Sequence, residues 1–274
     1  MRLPNNIFLK SWNQIYTKLV VYTSNLIHPL KNFKTMKFNQ IPTLILAGAI
    51  FFTSCEQAPK SDEAKTGEAE KVDTKKAEDA NELKLDTKTS EVSWVGSKPT
   101  GKHMGTFALT EGKISVKDGQ VTAGSFVIDV KSLKVTDKEM DEAGKKKLAG
   151  HLASGDFFDA EKFATAKFEI TEVKPFQKPE AKEGKEEKKE EKKDAEFSIA
   201  DPTHTVKGNL ELKGVTKSIE FPAKITIAEG KAEAEAKFNI NRKDWGMSYG
   251  TEESLGDKIL YPTVNIGLKL VANK

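Results

Sequence analysis

His103, His151, His204, the aspartates Asp156 and Asp159, and a glycine-containing stretch beginning at Gly96 are the residues of this 274-residue chain whose types and spacing could do chemistry. Gly96-Ser97-Lys98-Pro99-Thr100-Gly101-Lys102-His103 imitates a phosphate-binding loop. His103, however, stands where a Ser or Thr would hold magnesium, and strand alternation follows where a helix should begin, which excludes that chemistry. The three histidines lack any short ligand pair such as His-Glu-x-x-His, so a metal site would require the fold to gather them; the plainer role for each is hydrogen bonding at the end of a strand or helix. Asp156 and Asp159 flank Phe157-Phe158 and could do acid–base work. Aspartates in turns also bond the backbone, and the two aromatics read as anchors closing a core. No nucleophile elbow and no ordered Ser-His-Asp set is present. No catalytic residue, metal or cofactor is expected, and the chain reads as a non-enzyme.

Cys55, the only cysteine, sits at a different kind of chemical site. Met36-Lys37 precedes an apolar core from Ile41 to Phe52, and Thr53-Ser54 leads into the cysteine. The core is shorter than the ~20 apolar residues of a membrane span, and the arrangement resembles a bacterial lipoprotein signal, 36–54, with Cys55 as the acylated mature N-terminus. Phe52 departs from the usual leucine of that signal, and a buried thiol in a packed core is the alternative. Glu56, where an Asp would resemble an inner-membrane retention signal, favours an outer-membrane anchor facing the periplasm. Residues 1–35 fit no targeting pattern and read as an upstream extension, with translation starting at Met36.

The elements that position the remaining residues lie beyond a compositional break. From Cys55 to about residue 82 the chain is rich in Lys, Glu, Ala and Thr, too poor in apolar groups to offset its conformational entropy, and is expected to be a disordered charged tether. A second charged run, about 177–196, reads as a loop inserted into the domain 83–274. The net charge of +3 is small, and basic residues are not interleaved with aromatics, so no nucleic acid partner is expected. A single cysteine excludes an internal disulfide framework.

Alternation dominates 83–274. Val206, Gly208, Leu210 and Leu212 alternate with polar residues, a Gly214-Val215-Thr216 turn follows, and Ile219, Phe221, Ala223, Ile225 and Ile227 resume the pattern. The period recurs at 92–94, 105–109, 126–130, 166–170, 232–240 and 264–270. Roughly eight such segments predict an all-β antiparallel sheet closed into a barrel, which leaves no exposed edge. One segment, Thr136–Leu152, breaks the pattern. Met140, Leu148 and Leu152 share a helical face, Thr136 and Glu139 could form a capping box, and Gly144 and Gly150 favour two short pieces over one rod.

A barrel of this size either fills itself with side chains or holds one small ligand. Ala232, Ala234 and Ala236 place small residues in a row on an apolar face, which leaves room unless they are packing positions. Parity directs Trp94, Phe107, Phe126, Ile128, Phe168, Leu210, Phe221, Ala234 and Phe238 inward, as core or ligand contacts. Arg242, near Trp245, could meet a polar or phosphate head group or form a structural salt bridge with Asp244 or a surface carboxylate.

Several elements, in order, resemble the YceI-like family of lipocalin-like envelope proteins: Trp94-Val95-Gly96, Gly105-Thr106-Phe107, the segments 124–129 and 148–159 (with His151-Leu152-Ala153-Ser154-Gly155-Asp156-Phe157-Phe158-Asp159), 206–217 (with Gly208-Asn209-Leu210-Glu211-Leu212-Lys213-Gly214-Val215-Thr216-Lys217), and 238–246. The resemblance implies an eight-stranded antiparallel lipocalin-like barrel with a short helical element, holding an isoprenoid or other long-chain amphiphile. It also allows two barrels to pair as a homodimer. The charged insertion and the lipoprotein-like N-terminus depart from the plain secreted members. The expected function is a membrane-anchored envelope protein that binds or carries an isoprenoid-type lipid; the alternatives are a ligand-free interaction module in envelope stress or assembly, which would show a filled barrel and an exposed apolar patch, and a hydrolase or metalloenzyme, which would need His103, His151 or His204 to converge with a carboxylate in the mouth.

Overall fold

A computed structural model describes residues 58–178 and 194–274. The signal segment, Cys55 and the central part of the charged insertion lie outside the described residues. The strands are β1 (Lys65–Glu68), β2 (Asn81–Leu85), β3 (Glu91–Lys98), β4 (Gly101–Lys117), β5 (Gln120–Val135), β6 (Thr165–Pro175), β7 (His204–Leu212), β8 (Val215–Ala228), β9 (Lys231–Asn241) and β10 (Thr263–Asn273); helix α1 (Glu142–Ala153) joins β5 to β6. β3 to β10 pair antiparallel in chain order and β10 returns to β3, which closes an eight-stranded barrel. β2 extends the β3 position, pairing with the far ends of β4 and β10.

Side-chain parity makes the barrel. Along β9, Ala232, Ala236, Phe238 and Ile240 are buried while Lys231, Glu233 and Glu235 are exposed, so one strand face supplies core and the other meets water. The β7–β8 hairpin turns at Lys213 and Gly214, with φ of 51° and 74°, between the paired residues Leu212 and Val215. Two successive positive φ values match the right-handed twist of the flanking strands, and Gly214 takes its value without a Cβ penalty. The turn thus lies one residue earlier than the alternation suggested.

Helix α1 is one 12-residue element, not two pieces, and Thr136 does not cap it. The Asp141 side chain accepts from the Gly144 N–H at 2.7 Å and serves as the N-cap. Asp137 is drawn away to the barrel, where its carboxylate accepts from the Met104 N–H at 2.8 Å and meets His103 Nδ1 at 2.7 Å. Met140, Leu148 and Leu152 all pack on the core, as their spacing indicated. Among the described residues no helix is long and apolar enough to cross a membrane.

The tether expectation fails for residues 58–82. β1 pairs with Lys217–Glu220 of β8, the Ala64 N–H donates to the Asn239 carbonyl at 2.9 Å, and the Asn239 N–H donates to the Asp62 carbonyl at 2.7 Å. Backbone pairing and asparagine side chains do the holding, so a sequence almost free of apolar residues is nevertheless laid along the wall. Asn239 donates to the Pro59 carbonyl and to Glu63 Oε1, both at 2.9 Å, and Asn265 donates to Asn239 Oδ1 at 2.9 Å and to the Phe197 carbonyl at 3.0 Å. The Asp194 N–H donates to the Lys60 carbonyl at 2.8 Å, which ties the C-terminal flank of the insertion to the same strap.

Candidate functional site

The barrel interior is not filled. A cavity of about 420 Å³ occupies one end, within the roughly 300–1,000 Å³ of small-molecule sites. Its floor is an aromatic ladder across four strands: Phe126 to Phe168 at 5.3 Å between ring centroids, Phe168 to Phe221 at 5.8 Å, and Phe221 stacked on Phe238 at 4.0 Å. Gly208 of β7 makes the ladder possible. A Cβ there would lie 2.4 Å from Phe168 Cζ, so the ring fills the place of a side chain.

Nine of the eleven residues singled out from the sequence line this cavity: Trp94, Phe107, Phe126, Ile128, Phe168, Leu210, Phe221, Phe238 and Arg242. Two do not. Ala234, with Ala232 and Ala236, borders a second void of about 50 Å³ beyond the ladder, where Ala232 and Ala236 are packed tightly; the alanine row leaves little room, and the large space lies at the other side of the phenylalanines. Trp245 is fully buried in the core, and its indole N–H donates to the Leu210 carbonyl at 3.1 Å.

The mouth is built from irregular segments that alternation could not show. Leu148, His151 and Leu152 of α1, Phe157 and Phe158 after it, and Met247, Tyr249, Leu260 and Tyr261 before β10 all line the cavity. Phe158 meets Phe107 edge-on at 5.3 Å, and His151, Phe157 and Tyr249 form a triangle of rings 5.0–5.4 Å apart. Arg242 staples this cap. Its guanidinium donates to the carbonyls of Met247 at 2.5 Å, Tyr249 at 2.7 Å, Leu260 at 3.2 Å and Tyr261 at 3.4 Å, and it lies 5.4 Å from the Phe157 ring centre. These bonds take the place of the Asp244 pair considered from the sequence. Burial lowers the guanidinium pKa below its ordinary value. The signal for the cap was the aromatic content of 157–158 and 249–261, not its periodicity.

The histidines divide. His103 and His151 line the cavity, each with its own carboxylate, Asp137 at 2.7 Å and Asp156 at 3.1 Å. His204 does not line it; its Nδ1 meets Thr203 Oγ1 at 2.8 Å, and burial lowers its pKa. Among the described residues no group of three or more His, Cys, Asp or Glu is placed to hold a metal ion. The Gly96–His103 stretch runs from β3 into β4, with no helix to present amides to a phosphate.

A family model described as the YceI-like domain matches residues 83–272. The chain belongs to that family. UPF0312 proteins of Pseudomonas fluorescens (strain Pf-5) and Pseudomonas putida (strain F1) are 32% and 30% identical over 149 and 152 residues, in each case 52% of this chain. The matched segments are 63% and 62% of those relatives' own lengths. The crystal structure of BcnA from Burkholderia cenocepacia superimposes with a TM-score of 0.50 at 20% identity, covering 69% of this chain and 99% of BcnA, and shows the shared fold. A polyisoprenoid binding domain from Saccharophagus degradans gives 0.47 at 17% identity, over 71% of this chain and 98% of that one, a likeness too distant to carry an argument. The match to the YceI-like family begins at β2. The strap, residues 58–70, lies outside the matched residues.

Proposed function

We propose that this protein binds or carries an amphiphilic, isoprenoid-type lipid, with the apolar chain inside the barrel and the polar end among the groups of the mouth. The observation that carries this reading is the cavity of about 420 Å³ lined by aromatic and aliphatic side chains down to the phenylalanine ladder. Burying a tail there contributes about 0.8 kcal/mol per methylene, enough for useful affinity after ordering costs. His103, His151, Lys98 and Lys258 are among the lining residues and suit an acceptor or anionic head group. A ligand-free module would call for a filled barrel with an apolar outer patch. Among the described residues the exposed large apolar side chains are Tyr249 and Leu255, at the cap.

The lipoprotein-like signal at Cys55 supports a second element of the proposal, attachment to the outer membrane on its periplasmic side. Titration with 11-(dansylamino)undecanoic acid tests the binding reading. One probe per barrel, displaced by a long-chain prenyl alcohol, is the expected result; no fluorescence change at micromolar probe would contradict it.

A further inference from the structure

The barrel wall is incomplete between β8 and β9. β8 has 14 residues and β9 has 11, yet their ladder runs only from Lys224↔Glu235 to Ala228↔Lys231. β9 and β10, by contrast, pair over the whole of β9, from Lys231↔Asn273 to Asn241↔Thr263. Where β8 and β9 no longer pair, the strap takes over. Lys65, Thr66, Gly67 and Glu68 pair with Glu220, Ile219, Ser218 and Lys217 on one side, and Asp62 and Ala64 exchange backbone hydrogen bonds with Asn239 on the other. Residues 62–68 are therefore a wall strand supplied from outside the family-matched region, which begins at residue 83.

The strap itself does not line the cavity, but the strands on either side of it do. Ile219 of β8 and Phe238 and Ile240 of β9, the inward residues of the two strands flanking the strap, line the cavity, and Ala64 packs against the same apolar cluster. Apart from Ala64, and from Pro59, which is fully buried just before the segment, the strap's grip is polar. All four β1 residues are exposed, and the side-chain contacts that hold the segment include Lys65 to Glu220, Glu68 to Lys217, Glu70 to Lys207 and Thr171, Asn239 to Glu63, and the bonds of Asn209 and Asn239 to its backbone. Beneath it are the buried polar residues Ser218 and Asn239, which water can solvate when the strap leaves. Such a segment opens at lower cost than the eight core strands, whose inward faces are apolar.

We infer that residues 62–68 are the movable strand of a lateral portal: their release from β8 and β9 opens the barrel wall and lets an amphiphile enter or leave sideways, without drawing its head group past the cap stapled by Arg242. This rests on the lipid-binding reading above.

The test uses the full chain with Cys55→Ser, Glu68→Cys and Lys217→Cys. Glu68 and Lys217 are directly opposed on β1 and β8, the arrangement in which Cβ atoms come close enough for a disulfide with small adjustment. Stopped-flow mixing with 11-(dansylamino)undecanoic acid is compared for the oxidised and reduced forms of this one protein. Oxidation is expected to slow association and dissociation at least ~10-fold with Kd within about twofold, as a locked gate requires. A second variant, Lys65→Glu with Glu68→Lys, sets like charges against Glu220 and Lys217 and is expected to speed both rates. Unchanged rates in a fully cross-linked protein, or in the charge-reversed one, overturn the portal. A ligand-free readout separates the two readings. The amides of Ala64 and Asn239 are expected to exchange hydrogen faster than those of the β9–β10 ladder, and equal protection overturns the portal even if lipid binds. Absence of probe binding in every form overturns the lipid-binding reading itself.

Discussion

Replacing Gly96 with phenylalanine is expected to block the cavity while leaving the barrel folded. Gly96 lies on the inner face of β3 between Trp94 and Lys98, opposite His103 of β4 and Val264 of β10, and it lines the cavity. A Cβ built on it meets nothing within 4 Å, so a side chain there grows into open space. A benzyl group takes the room of roughly four or five tail methylenes, which at about 0.8 kcal/mol each removes about 3–4 kcal/mol of ligand binding. That is roughly a 100- to 1,000-fold rise in Kd. The fold should not suffer, because an aromatic residue suits a strand interior better than glycine. Probe titration gives Kd and thermal unfolding gives stability. Gly105→Ala is the contrast: its Cβ would lie 1.9 Å from the Lys134 carbonyl oxygen, and that variant should lose stability without filling anything. An unchanged Kd in folded Gly96→Phe, or its unfolding, would refute the assignment of this space as the ligand site.

Arg242→Met removes the donors that hold four cap carbonyls, and with charge-assisted bonds of this kind in play it should cost about 2–4 kcal/mol, or roughly 5–15 °C in Tm. Arg242→Lys should recover less than half of that, since one ammonium cannot span the set; an unchanged Tm in Arg242→Met would show that the cap does not depend on the staple. Burial holds the His204 pKa below the ordinary 6.5, so the unfolded chain binds the proton more readily than the barrel does. The His204 contribution is therefore complete above pH 6.5 and is lost as the pH falls from there towards the lower folded value. Urea unfolding at pH 7.5 and 5.5 should show a loss that His204→Gln reduces; an equal loss in the variant would remove His204 as its cause.

The barrel was readable because its determinants are periodic. Each of the eight alternating segments became a wall strand, and parity alone directed Trp94, Phe107, Phe126, Ile128, Phe168, Leu210, Phe221 and Phe238 to the cavity. Parity says which face a residue takes but not its height along the barrel axis. That is why Ala232, Ala234 and Ala236 were given the right face and the wrong void. The cap was hidden because Tyr249, Leu260 and Tyr261 sit in irregular backbone whose position depends on one buried guanidinium. The strap was hidden for a different reason. Its attachment runs through main-chain bonds to β8 and β9, which leave no mark on composition, and the charged side chains that suggested a solvated tether do remain on the outer surface.

Native mass spectrometry of the full-length protein, purified from its own host and followed by solvent extraction of whatever co-purifies, tests the central claim most directly. A stoichiometric long-chain amphiphile, lost from Gly96→Phe, is the expected result and would identify the cargo. A clean apoprotein mass that stays clean after incubation with isoprenoids and fatty acids would contradict it.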